Sequence, residues 1–252
     1  SGYKEEYEMT AQATELDYYD GELLCKGTYY REESRTPLPI VLVTPAWDGV
    51  VEEVHEKARR LAEAGYIALV VDVYGGGKTL TDMAQMMPAV ESFMVDRTVL
   101  VRRMQAAVAA AKTIPDADSS NIAAMGYCFG GLCVLDLARG GGDQVKGVIS
   151  FHGALMAADP PIGEPIAARV LVLHGEDDPL VPPQQVEAFK QEMTAAGVDW
   201  QLHAYGGTVH AFTRTGANDP ASGAVYSEAA DRRSWLAMLN FLEELFTGVG
   251  DS

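Results

Sequence analysis

Long apolar runs are missing from this 252-residue chain. A membrane-spanning helix needs about 20 consecutive, predominantly apolar residues, so that class is excluded and no membrane partner is expected. Cysteine is scarce. Cys25, Cys128 and Cys133 are the three present, an odd number without a C-x-x-C pair. Neither a disulfide framework nor a zinc cluster has its spacing, so no metal is expected and a reducing, cytoplasmic compartment fits best. Positive charge is also short: 19 Lys and Arg stand against 36 Asp and Glu, for a net charge of −17. Such a field repels phosphate backbones and anionic lipid, so nucleic acid is not expected as a partner. The acidic opening of the chain lacks an apolar leader core, and no secretory signal is expected there.

What remains is ordinary globular composition, 48% hydrophobic and 22% charged. Residues 15–19 and 22–30 flank Asp20-Gly21, a dipeptide suited to a two-residue hairpin turn. After Pro39 the pattern changes to strands alternating with helices. Short β-branched or apolar runs at 40–44, 66–72, 121–125, 146–151, 169–173 and 198–204 read as buried parallel strands. Helical periodicity covers 52–64, 96–113, 130–139, 182–196 and 228–246, with Gly65 and Gly197 as stops. Residues 74–95 and 153–168 read as long connections. The fold class is therefore α/β: a mostly parallel twisted sheet with helices on both faces and an N-terminal β-hairpin. The expected organisation is an extension over 1–14, one domain over 15–247 and a tail over 248–252.

Gly126-Tyr127-Cys128-Phe129-Gly130-Gly131 follows a predicted strand and opens a predicted helix. This is the nucleophile-elbow pattern with a thiol in place of a hydroxyl. The sharp turn strains its central residue and leaves no room for a Cβ two positions away. The helix N-terminus favours a thiolate and offers an N–H to a developing oxyanion. Taken alone, the same residues could be a structural Cys in a Gly-rich turn. His174-Gly175-Glu176-Asp177-Asp178-Pro179 also ends a strand, and an acid there can orient an imidazole. Asp178, which begins D-x-x-V-P, is favoured over Asp177. His210 lies in the Gly-flanked loop after the last strand. The chain order Cys128, Asp178, His210 is nucleophile, acid, His, which makes three modest signals into one catalytic triad. His55 reads as an exposed helix residue and His203 as alternating out of a strand. His152 and His174 end strands near the crevice, where either could line the site, but a structural role is the favoured reading.

With GYCFGG, HGEDDPLVP, GGTVHAF, YYDGELLCKGTYY and GYIALVVDVYG in view, the chain resembles the dienelactone hydrolase (carboxymethylenebutenolidase) family. The resemblance covers nearly the whole chain. It implies an α/β-hydrolase fold, a Cys-His-Asp triad and no cofactor. By the same resemblance the backbone N–H groups of Phe129 and Trp47 form the oxyanion hole. Arg214 would bind a substrate carboxylate, with Tyr74 and Lys78 nearby. Two departures stand out. Ala46 occupies the place of a family Glu, and no Arg follows Asp72-Val73-Tyr74.

The expected activity is cysteine-dependent hydrolysis of small lactones or activated esters through a thioester. Hydrolysis of small esters or thioesters without action on dienelactone is the alternative, and a non-catalytic binding protein is a third. The expected partner is a small-molecule lactone or ester, with or without a carboxylate, bound to a monomer or small homo-oligomer.

Overall fold

The computed structural model describes residues 10–163 and 165–248. The expected extension before residue 10 and the tail from residue 249 lie outside the described residues. The hairpin comprises β1 (Gln12–Asp20) and β2 (Leu23–Arg31), paired antiparallel from Gln12↔Arg31 to Asp20↔Leu23. Its turn is Gly21-Glu22, one residue later than the dipeptide signal suggests. Gly21 takes a left-handed φ of 59° at the first turn position, where Gly carries no steric cost. Asp20 stays in the strand because Arg102 and Arg103 each donate to its buried carboxylate.

The alternating part follows as β3 (Leu38–Thr44), α1 (Glu52–Glu63), β4 (Ile67–Val70), α2 (Met83–Val95), α3 (Arg97–Ala111), β5 (Ala117–Tyr127) and α4 (Phe129–Arg139). Then come β6 (Gly147–Phe151), β7 (Arg169–Gly175), α5 (Pro183–Ala195), β8 (Trp200–Tyr205), the short β9 (Asn218–Asp219) and β10 (Ala224–Val225), and α6 (Glu228–Thr247). The main sheet has eight strands in the order β1-β2-β4-β3-β5-β6-β7-β8. The β1–β2 and β2–β4 pairs are antiparallel, and every pair from β4 to β8 is parallel.

Both faces are covered, which is why the central strands read as continuous apolar runs rather than alternating ones. Ile40, Leu42, Ile67 and Leu69 pack with Leu100 and Met104 of α3, Cys133 of α4 and Phe189 of α5. The intervening Val41, Val43, Ala68 and Val70 pack with Leu61 of α1 and with Met238 and Leu242 of α6. No helix among the described residues is long and apolar enough to cross a membrane.

One expected connection is partly helical. Residues 83–95 form α2, although 74–95 reads as a loop. Asp82 caps this helix by accepting from the Gln85 N–H at 3.0 Å. Pro88 lies inside it and removes one backbone donor. Only Phe93 of its residues is buried, so no apolar stripe marks the helix in the sequence.

Candidate active site

Parallel strands bring their C-terminal ends to one edge of the sheet, where α/β folds gather their functional loops. Cys128 follows β5, Asp178 follows β7 and His210 follows β8. The elbow is tight. Cys128 sits at φ 54° and ψ −116°, a strained region for a residue with a side chain. Its own N–H donates to the Phe151 carbonyl at 2.9 Å, and its carbonyl accepts from Gly131 at 2.9 Å. A Cβ on Gly126 would lie 2.1 Å from the Gly130 carbonyl oxygen, and one on Gly130 would lie 2.3 Å from that of Thr44. Neither contact can be relieved by a side-chain rotation. Gly126→Ala should therefore cost about 2–3 kcal/mol and lower Tm by roughly 5–10 °C. An unchanged thermal melt would refute this account of the elbow.

The three predicted residues meet. Cys128 Sγ lies 3.1 Å from His210 Nε2, and His210 Nδ1 lies 2.8 Å from Asp178 Oδ2. Asp178 is buried, whereas Asp177 is exposed. The other oxygen of Asp178 accepts from the Leu180 N–H at 2.9 Å, which fixes the carboxylate's orientation. His210 is pinned through its backbone. It donates to the Gly223 carbonyl at 2.9 Å and accepts from Val225 at 3.1 Å. Burial alone would lower the His210 pKa, but the contacts with Asp178 and Cys128 outweigh it and raise the value to about 10. The imidazole is therefore a strong acceptor for a thiol proton.

The residues expected to stabilise an oxyanion are tied together by Tyr74. Its ring stacks on Phe129 at 6.2 Å and 10°, and its hydroxyl donates to the Trp47 carbonyl at 2.6 Å. Phe93 of α2 completes the aromatic group, 5.7 Å from Phe129. Among the described residues, no acceptor takes the N–H of Phe129 or of Trp47. Tyr74 itself does not line the cavity beside Cys128. The structure makes it a support behind the two N–H groups. After Tyr74 the chain turns through Gly75, Gly76 and Gly77, all at positive φ. Asp72 holds this turn by accepting from the N–H groups of Gly75 and Gly77. Lys78 emerges exposed and is not brought to the cavity.

That cavity, about 620 Å³, is walled by Cys128, His210 and mostly apolar side chains, including Met83, Val90, Met94, Leu132 and Val181. Met83, Met156 and Leu180 are the exposed apolar residues at its rim. The segment carrying Met156 is held by charge. Arg97 and Arg139 flank the fully buried Asp136 and donate to the carbonyls of residues 155–157.

Arg214 does reach the cavity, but its guanidinium is engaged. Nη2 lies 2.9 Å from Asp48 Oδ2, and Nε lies 3.0 Å from Glu53 Oε2. Burial raises the Glu53 pKa, Arg214 and Lys57 offset this in part, and the neighbouring Asp48 and Glu56 add to it, so it stays above its ordinary value. Asp48, two residues from Ala46, thus contacts Arg214 at 2.9 Å rather than the thiol. The second cation of the wall, Lys57, lies 3.8 Å from Asp231.

A histidine that the sequence places near the crevice is also a wall residue. His152, at φ 40°, sets its ring against His210 at 5.3 Å and bonds Thr213 Oγ1 at 2.9 Å. Burial, followed by the neighbouring His210 and Arg214, pushes its pKa well down and leaves it neutral. Its position at the end of β6 was the available signal. Among the described residues, no group of three or more His, Cys, Asp or Glu side chains is gathered to hold a metal ion.

A family model described as "Dienelactone hydrolase family" matches residues 26–246. A crystal structure of a dienelactone hydrolase-like promiscuous phosphotriesterase from metagenomic libraries is 37% identical. It superposes with a TM-score of 0.85 over 94% of this chain and 99% of that one. A Methylorubrum extorquens protein provisionally named a carboxymethylenebutenolidase is 32% identical over 70% of this chain and 64% of its own length. An uncharacterized Caenorhabditis elegans protein is 40% identical over 57% of this chain and 92% of its own. The fold is that of the α/β-hydrolases, as expected.

Proposed function

From the premise that the chain belongs to the dienelactone hydrolase family and is a hydrolase of ester bonds, we propose that it cleaves small lactones or activated esters with Cys128 as nucleophile. The observation that carries this reading is the continuous chain of contacts from Cys128 Sγ through His210 to Asp178. With its pKa raised to about 10, His210 holds the proton on Nε2 while Sγ forms a bond to the carbonyl carbon. The carbonyl π pair moves to oxygen and is met by the N–H groups of Phe129 and Trp47. Collapse breaks the carbon–oxygen bond, and His210 returns its proton to the leaving alkoxide. The thioester left on Cys128 is cleaved by water, with His210 again as base. Asp178 keeps the imidazole in the required tautomer and supports its charged form. All three cysteines are free, and a reducing, cytoplasmic compartment suits a thiol nucleophile.

Acid quenching during turnover of an aryl ester should leave an acyl adduct detectable by mass spectrometry on the peptide containing Cys128. Full turnover with no adduct at that position, or with the adduct elsewhere, would overturn the assignment. The substrate panel should include a phosphotriester, because the metagenomic relative's name describes that activity.

A further inference from the structure

We propose that Asp48 and Glu53 are specificity-determining residues that hold Arg214 away from substrate carboxylates and direct the cavity to uncharged lactones and esters. This inference rests on the thiol-hydrolase reading and narrows its substrate class. An arginine grips a carboxylate best through two parallel N–H donors along one edge of its planar fork. Nε and Nη2 form one such edge, and here each is claimed by a different protein carboxylate. Two carboxylates on one guanidinium leave the trio negative by one unit. The other oxygen of Asp48 is buried without a hydrogen-bond partner among the described residues, so Arg214 alone disperses that carboxylate's charge. Lys57 does not reverse the balance, because Asp231 lies opposite it. The rest of the wall is largely apolar. An anionic substrate would leave water for a site whose cations Lys57, His210 and Arg214 each face a protein carboxylate, Arg214 facing two. An uncharged ester meets no such cost.

The trio and Cys128 line the same cavity, so the thiol is where the asymmetry is to be read. At effective dielectric near 20, one unit charge about 6 Å away shifts an equilibrium by on the order of 100-fold, and solvent access reduces this. The test compares alkylation of Cys128 by neutral iodoacetamide and anionic iodoacetate at physiological salt. Cys25 and Cys133 are buried and do not compete. The ratio of the two rates should exceed that of 2-mercaptoethanol by about tenfold or more. Asp48→Asn and Glu53→Gln should each cut that excess several-fold, while Glu63→Gln, on the exposed face of α1, should not. A matched pair of aryl esters, one carrying a carboxylate, should show the same shifts in their kcat/KM ratio.

A wild-type ratio equal to that of the small thiol overturns the proposal, even without any variant. So does a ratio that neither substitution moves in protein that still melts cooperatively. If the alkylation ratios shift as expected but neither ester is turned over, charge selection by the cavity stands and the hydrolase reading fails.

Discussion

Cys128→Ala should lose about 10⁴-fold or more in kcat on any ester the wild type cleaves, the scale seen when a triad member is removed. The expectation follows from position as much as from chemistry. The side chain is only partly buried, and its hydrogen-bonding contact is with His210. The elbow is set by backbone, through the close approach of Gly126 and Gly130 and the bond from Cys128 N–H to Phe151. Ala leaves all of that in place. Tm should therefore move by no more than about 3 °C, as for a substitution outside the core. Activity above roughly a tenth of wild type would remove Cys128 from the mechanism. A large fall in Tm would show that the thiol had a packing role as well.

Asp178→Asn should cost about 10³- to 10⁴-fold in kcat, since an amide can present the wrong hydrogen-bonding partner to Nδ1 and select the unproductive tautomer. Asp177→Asn should cost less than about threefold, because that side chain is exposed and the bond Asp177 makes among the described residues is from its backbone N–H to the Thr208 carbonyl. Equal losses, or the reverse ranking, would reassign the acid. Asp178 also leaves a signature in stability. The native His210 pKa is raised to about 10 from 6.5. A raised basic group stabilises the fold fully below its unfolded value and loses that contribution as pH climbs through the native one. The stability advantage of wild type over Asp178→Asn should thus be greatest below about pH 6.5 and shrink toward pH 10. Denaturant titrations across this range would check the trend, and a gap that widens with pH would contradict it.

The parts of the site that were legible in the sequence depend on local chemistry. The elbow glycines, the strand before them and the helix after them form one contiguous segment. Asp178 and His210 each follow a strand whose parallel pairing brings it to the same edge. The unread parts depend on contacts between distant segments. Arg214 reads as a grip for a substrate carboxylate until the fold places Asp48 and Glu53 beside it. Tyr74 looks like a substrate contact until its ring is seen behind Phe129. Lys78 follows three glycines whose positive φ values no side-chain pattern reports. Helix α2 escaped for a different reason. Its internal Pro88 argues against a helix, and its single buried residue leaves no periodicity to detect.

That sparse anchoring bears on how this protein can diversify. Met83, Val90 and Met94 of α2 line the cavity, and Phe93 is the fully buried residue of the helix. Val90 and Met94 also pack against the core, so at these two positions wall and framework are shared, whereas the exposed Met83 belongs to the wall alone. Substitution of Met83 can therefore reshape what is accepted while drawing little on the stability margin that constrains change in the sheet. A saturation library at this position would sample new selectivities from a scaffold that stays folded.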